Sequence, residues 1–167
     1  MPILAPLTAS DIGEIAAAFA ALGWNKPASQ YETYLREQTD GARHVIVARE
    51  AGRFAGYVTV LWRSVYEPFA EAGIPEVNDF NVLPDLRRRG IGGALMDEAE
   101  RLIATCAPIV GIGVGLDTGY GAAQRLYIRR GYVPDGRGIT THGRRAEYGD
   151  SVKIDDDLVL WLTKALF

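Results

Sequence analysis

The segment from Asp79 to Leu102, DFNVLPDLRRRGIGGALMDEAERL, restricts the fold of this chain more than any other. It opens apolar and extended and reaches Pro84. Arg87, Arg88 and Arg89 follow, then Gly90, Gly92 and Gly93. From about Arg88 the apolar residues Ile91, Leu95, Ala99, Leu102 and Ile103 recur at helical spacing. The segment therefore predicts a strand, a turn and a helix in direct succession. The first N–H groups of a helix lack intrahelical partners and carry roughly half a positive charge, so such a turn is a ready anion site. Glycines admit a close backbone approach and arginines add charge. A large anion is expected there.

The flanking sequence supplies a β-α-α-β-β-β-α-β-α-β-β order. PILAPL reads as a strand. TASDIGEIAAAFAALG reads as a helix, with Ile12, Ile15, Phe19 and Leu22 on one face and Thr8 and Asp11 as a capping box. ASQYETYLREQTD is a second, shorter helix. RHVIVARE and RFAGYVTVLWRS read as a hairpin, VYEPFAEAGIP as a loop and EVNDFNVLP as a strand. In the helix after the glycines, Asp97 and Arg101 are expected to pair on the surface. In PIVGIGVGL, Val110, Ile112, Val114 and Leu116 share one strand face and Gly111, Gly113 and Gly115 the other. Glycines weaken a strand, so that face is expected to lie close to another backbone or a ligand. GYGAAQRLYIRRGYVP reads as a helix closed by Gly131, residues 135–156 as a long polar connection, and DLVLWLTKAL as a closing strand. The fold class is α/β: one domain over residues 1–167, a mixed sheet flanked by helices.

With 48% apolar residues the chain can bury a sizeable core, and its formal net charge of -3 excludes the broad basic face of a nucleic-acid or membrane-surface binder. The one cysteine, Cys106, excludes an intrachain disulfide and is expected as a small core residue in a reducing compartment. No window approaches the about 18 apolar residues of a membrane span, and MPILAPLTASDIGEI carries no basic, then apolar, leader pattern. A cytoplasmic protein is expected.

Three anion-binding patterns compete at the turn. A P-loop needs a lysine after its glycines, and none follows. A dinucleotide fingerprint needs G-x-G-x-x-G, and here the third glycine comes one place early. The pattern Q/R-x-x-G-x-G/A is met by Arg87, Gly90 and Gly92. Downstream, Ala123, Leu126, Tyr127, Gly131 and Tyr132 fit A-x-x-L-Y-x-x-x-G-[FY]. With VLPDLRRRGIG (Val82–Gly92) and this second motif in order, the sequence resembles the GCN5-related N-acetyltransferases, most strongly from about Val45 to Pro134.

That resemblance implies the acyl-CoA N-acyltransferase fold and acetyl-CoA as co-substrate. Its pyrophosphate is expected on the backbone of Arg88, Arg89, Gly90, Ile91, Gly92 and Gly93, with Arg87 beside it. The pantetheine arm is expected between the strand carrying Phe80 and Val82 and the VGIGVGL strand, which splay apart in this family. The implied reaction is direct attack of a primary amine of a small molecule on the thioester, through a tetrahedral intermediate. The Val82 N–H is the expected oxyanion donor and Tyr127 the partner of the leaving thiolate. An alkyl ammonium of pKa near ~10.4 must lose a proton first, and Glu76 or Asp79 is the expected base; His44 and His142 are weaker candidates. Many relatives carry Asn where this chain has Tyr120, so Gln124 and Tyr120 are the residues that can replace its contacts.

The acceptor side is expected from the first two helices, the loop at 65–75 and the connection after Pro134. Trp24, Tyr31, Tyr34, Tyr66, Phe69 and the carboxylates Asp155, Asp156 and Asp157 suit a cationic amine; Arg137, Arg144 and Arg145 suit an acidic acceptor. Both readings stay open. No nucleic-acid or membrane partner is expected, and a homodimer is the assembly the resemblance allows. The alternative function is a non-catalytic acyl-CoA-binding or sensing domain of the same fold.

Overall fold

The computed structural model describes residues 1–167. One sheet of eight strands runs in the order β1-β2-β3-β4-β5-β8-β6-β7. The strands are β1 (Ile3–Pro6), β2 (Arg43–Glu50), β3 (Arg53–Leu61), β4 (Glu76–Val82), β5 (Ile109–Gly115), β6 (Val133–Thr141), β7 (Arg144–Arg145) and β8 (Leu158–Ala165). The helices are α1 (Ile12–Ala21), α2 (Ala28–Thr39), α3 (Glu67–Ala72), α4 (Ile91–Ala104) and α5 (Gly121–Arg129). Every neighbouring pair is antiparallel except β4 and β5, which run parallel. The expected mixed sheet flanked by helices is the observed architecture. No helix is long and apolar enough to cross a membrane.

Strand alternation assigns the helices to faces. Arg43 reaches Glu37 of α2, whereas the next residue, His44, is influenced by Glu98 of α4. The two helices therefore cover opposite faces. Phe19 of α1 meets Tyr57 edge-on, and Tyr57 pairs with Val47, which shares the face of Arg43. So α1 joins α2. α5 joins α4 through Arg130, which binds both Asp97 and Glu100. Burial alone would raise the Glu100 carboxyl, but hydrogen bonds from Arg130 and Lys164 hold it below the usual carboxylate range. The main core cluster includes Ile15, Phe19, Tyr57, Leu95, Met96, Val110 and Tyr127, and a second, small one is formed by Tyr66, Phe69 and Trp161.

Several expectations change. Residues 65–75, expected as a loop, contain α3, with a proline in its first turn and Gly73 at φ +66° closing it. A six-residue helix has little stability of its own; Phe69, 1% exposed, anchors it on the sheet. The polar stretch after Pro134 contains the rest of β6 and all of β7. Pairing with β8 skips from Pro134 to Ile139, so the intervening residues loop out and break the apolar alternation that marks a strand. Asp97 pairs with Arg130 instead of Arg101, which takes Glu98. Cys106 is exposed, because α4 ends at Ala104 and the turn carries it past the buried stripe.

The glycine face of β5 is filled by aromatic side chains rather than left open. A Cβ at Gly111 would strike the Phe69 ring; at Gly113 it would lie 2.9 Å from Trp161, and at Gly115 2.8 Å from Cγ of Tyr120. Gly111→Ala should therefore displace Phe69 and cost about 1–3 kcal/mol. Urea unfolding measures this, and an unchanged midpoint would contradict the packing.

Candidate active site

β4 and β5 share only two rungs, Glu76 with Gly111 and Val77 with Ile112. Beyond Val77 the two strands diverge, although β4 runs on to Val82 and β5 to Gly115. β4 stays attached to β3 across a bulge: Thr59 pairs with Asn78 and Tyr57 with Asn81, so β4 carries one extra residue. Asp79 lies at that bulge with φ +49°. At the far end, Leu83 N–H donates to Ala55 O at 2.9 Å. Adjacent N–H groups on a strand point to opposite sides. The Val82 N–H is thus turned toward the divergence.

The turn to α4 has the form of an anion cradle. Arg88 at φ +62° and Gly90 at φ +81° are left-handed, a shape that points successive N–H groups inward. No protein acceptor takes the N–H groups of residues 88–93, and the first helical bond is Ala94 N–H to Gly90 O. The first turn of α4 holds no acidic residue. Arg87 Nε donates to Val82 O at 3.2 Å, Arg89 lies 3.5 Å from Glu50, and Arg88 has no acidic partner. Ile91 is 1% exposed, so it offers the turn its backbone only. Gly92 fits because α4 comes close to β4: a Cβ there would sit 3.2 Å from Phe80 and 3.7 Å from Val82. Orphaned N–H groups, two available guanidinium groups and a widening gap between strands suit a CoA pyrophosphate followed by its pantetheine arm.

Tyr127 of α5 is buried with its ring 5.9 Å from Tyr132, and its hydroxyl has no hydrogen-bond partner in the chain. Burial, then the nearby Tyr120, holds its phenol well above the usual value, so it stays protonated. Gln124 Nε2 donates to Gly115 O at 2.8 Å and caps the diverging end of β5. Tyr120 packs on Gly115 and donates to Asp156 at 2.7 Å.

The two candidate carboxylates have unlike surroundings. Asp79 accepts five donors: Lys26 Nζ at 3.0 Å, Gln30 Nε2 at 3.0 Å, Tyr34 hydroxyl at 2.8 Å, Tyr57 hydroxyl at 2.5 Å and Asn81 Nδ2 at 2.8 Å. Burial, then Asp79 itself, keeps both tyrosines above their usual pKa, so both remain donors. This carboxylate ties α2 and the α1–α2 connection to the bulge. Glu76 is 2% exposed and meets neutral groups only: Ser64 hydroxyl at 2.5 Å, Asn78 Nδ2 at 3.0 Å and Val65 N–H at 3.3 Å.

Other residues resolve as follows. His44 is half-buried, and burial lowers its pKa. His142 is exposed, 3.1 Å from Asp157. Tyr31 and Phe69 are core, while Tyr66 stacks on Trp161 at 4.3 Å and donates to Asp135. Lys26, Tyr57, Asn81, Arg43 and Asn78 were not expected at the site. One signal was present: Asn and Asp in EVNDFNV are poor strand formers and mark the bulge.

Asp79→Ala should cost about 3 kcal/mol, because it strands Lys26 and four neutral donors. Adding Lys26→Met should cost less than the sum of the single variants. Additive unfolding energies would show that the Asp79–Lys26 pair is not coupled.

A model of the acetyltransferase (GNAT) domain matches residues 41–134. No curated protein matches the sequence. Among solved structures, the chain is similar to a GNAT-family protein of Desulfovibrio desulfuricans (TM-score 0.74, 17% identity, 100% of both chains covered). It is also similar to the ribosomal-protein-alanine N-acetyltransferase of Brucella melitensis (TM-score 0.70, 17% identity, 98% of this chain and 99% of that one). A third, yncA of Salmonella typhimurium, was solved with its cofactor acetyl-CoA (TM-score 0.69, 14% identity, 100% of this chain and 95% of that one). These structural similarities establish a shared fold, and the domain match covers more than half of the sequence: the chain belongs to the GNAT acetyltransferase family.

Proposed function

We propose that the protein is an N-acetyltransferase that moves the acetyl group of acetyl-CoA to a primary amine of a small molecule, with residues 1–167 acting as a single catalytic domain. The observation that carries this reading is the parallel β4–β5 ladder that stops after two rungs beside six unclaimed N–H groups. Acetyl-CoA supplies the activated acyl group as a thioester. Residues 88–93 receive its pyrophosphate with Arg87 and Arg88 alongside, and Phe80, Val82 and Gln124 border the course of the arm.

Val82 N–H meets charge as it develops on the thioester oxygen; a fixed dipole in a dry site is worth about 3 kcal/mol in such a role. Tyr127, kept protonated by burial, donates to the departing sulfur. A thiol ionises near ~8.5, so a hydrogen bond serves there without full proton transfer. Glu76 is the base in this reading. It stands at the root of the gap, on the face covered by α1, α2 and α3, and no cation holds its charge. Asp79, already committed to five donors, positions the acceptor wall.

Release of CoA thiol against polyamines, amino acids, aminoglycosides, a lysine peptide and an N-terminal alanine peptide tests the reading. Release with one small-amine class is expected. Protein that binds acetyl-CoA yet releases no thiol with any of them would point to an acyl-CoA-binding domain without transfer. Tyr127→Phe should lower kcat on the order of 10²-fold while leaving acetyl-CoA affinity unchanged. Equal turnover would remove Tyr127 from the chemistry. Gly92→Val should weaken acetyl-CoA binding about tenfold, roughly 1.4 kcal/mol, by calorimetry. Unchanged affinity would contradict the assignment of the turn.

A further inference from the structure

A chain of buried and partly buried hydrogen bonds crosses three strands and ends on Glu76, and its direction is set at the far end by a charge. Arg43, on β2, is 8% exposed. Its ring-facing guanidinium lies 4.1 Å over Tyr34, and its Nε binds Glu37 at 2.5 Å. Its Nη1 reaches across the sheet to Thr59 Oγ1 at 2.7 Å and Asn78 Oδ1 at 3.0 Å. Arginine has donors and no acceptor. Asn78 must therefore turn its carbonyl oxygen to Arg43, which leaves its amide N–H groups for Glu76 Oε1 at 3.0 Å. Thr59 has the same constraint. It accepts from Arg43, so its own proton goes to Asn78 O at 2.7 Å, which holds the backbone of that residue.

The other side of Glu76 is directed in the same way. Ser64 Oγ accepts the Tyr66 N–H at 3.0 Å, so its single proton goes to Glu76 Oε2. Val65 N–H donates to the same oxygen. Three donors face this carboxyl and no acceptor does. A proton that Glu76 takes up can be accepted there only if Ser64 turns its hydroxyl, since the Asn78 amide and the Val65 N–H can only donate.

The groups packed around Glu76 come from every adjoining element. They are Ser64, Val65 and Tyr66 from the segment between β3 and α3, Asn78 from its own strand, and Gly111 of β5 under Phe69. Arg43, with Glu37 behind it, is the charged pair linked to Glu76 through Asn78. Lys26 and Asp79 form a separate pair at the bulge.

We propose that Arg43 is a positioning residue for the base: by holding the Asn78 carbonyl it aims the Asn78 amide at Glu76 and fixes Glu76 as a hydrogen-bond acceptor. The inference rests on the reading of Glu76 as the base. Arg43 touches neither substrate. It acts through one amide, and a carboxylate fixed in this way is ready to take the proton that an ammonium must lose before attack.

The test changes the direction of the relay without emptying the site. Asn78→Asp is close to isosteric and keeps a partner for Arg43, but gives Glu76 an acceptor in place of a donor. Arg43→Met frees the Asn78 amide to rotate, and Arg43→Lys retains a donor-only partner. Two readouts are taken. One is the titration of Glu76 followed by carboxylate infrared or carbon-13 signals, assigned with Glu76→Gln, which needs no acceptor amine. The other is the acid limb of kcat/KM for acetyl-CoA with the best amine of the thiol-release panel.

In Asn78→Asp both should move up by about one pH unit or more, a tenfold loss of rate below the limb. Arg43→Met should move both in the same sense, and Arg43→Lys should hold both near the parent. If Arg43→Met fails to fold, Asn78→Asp still decides. An unmoved Glu76 titration in Asn78→Asp overturns the relay whatever the activity. A shifted titration with an unmoved rate profile overturns the assignment of Glu76 as base, and the catalytic role of Arg43 with it.

Discussion

Everything at this site depends on a parallel ladder that stops after Val77 and Ile112. Once β4 and β5 part, the N–H groups that β4 turns toward β5 lose their sheet partners, and an unsatisfied buried group costs about 1–3 kcal/mol. The separation persists because each strand is held from its other side. β5 pairs with β8 along seven rungs, from Ile109 with Ala165 to Gly115 with Val159. β4 is held to β3 as far as Val82, where Gly56 comes so close that a Cβ there would lie 3.0 Å from Val82 Cα. The gap is thus a product of two well-paired half-sheets, and it leaves the Val82 N–H without a sheet partner.

The bulge that accompanies the gap is strained. Asp79 sits in a left-handed conformation that costs of order 1 kcal/mol or more for a residue with a side chain. Its carboxylate offsets that cost by gathering five donors from the α1–α2 connection, α2, β3 and β4. The same interaction fixes α2 and the α1–α2 connection against the sheet. The bulge also separates Asp79 from Glu76, which leaves one carboxylate saturated by a cation and hydroxyls and the other among neutral donors. Two acids three residues apart can then take different tasks.

Parts of this were legible from residue patterns. The strand, turn and helix around Arg87–Gly93 follow from alternation, Pro84, the glycines and a 3.6-residue apolar stripe, all of them local signals. The helix that carries Tyr127 is legible from its apolar spacing and the closing Gly131. The glycine face of β5 is legible from alternation, but what fills it is not, because Phe69 and Trp161 come from distant segments and Tyr120 folds back from the turn that follows the strand. α3 and β6 were missed for a related reason. One is held by Phe69 against the sheet, and the other pairs with β8 around a looped-out stretch that hides its periodicity.

The sequence by itself determined the family, most of the strands and helices and the glycine-rich turn that opens α4, since each rests on residues close together along the chain. Only the tertiary structure decided which donors reach Asp79, which groups surround Glu76, and that Arg43 governs the amide between them. Several of those contacts, such as Lys26 and Tyr34 with Asp79 and Arg43 with Asn78, join residues 35 to 53 positions apart in the chain, and hydrogen-bond direction depends on every partner at once. No local pattern encodes that.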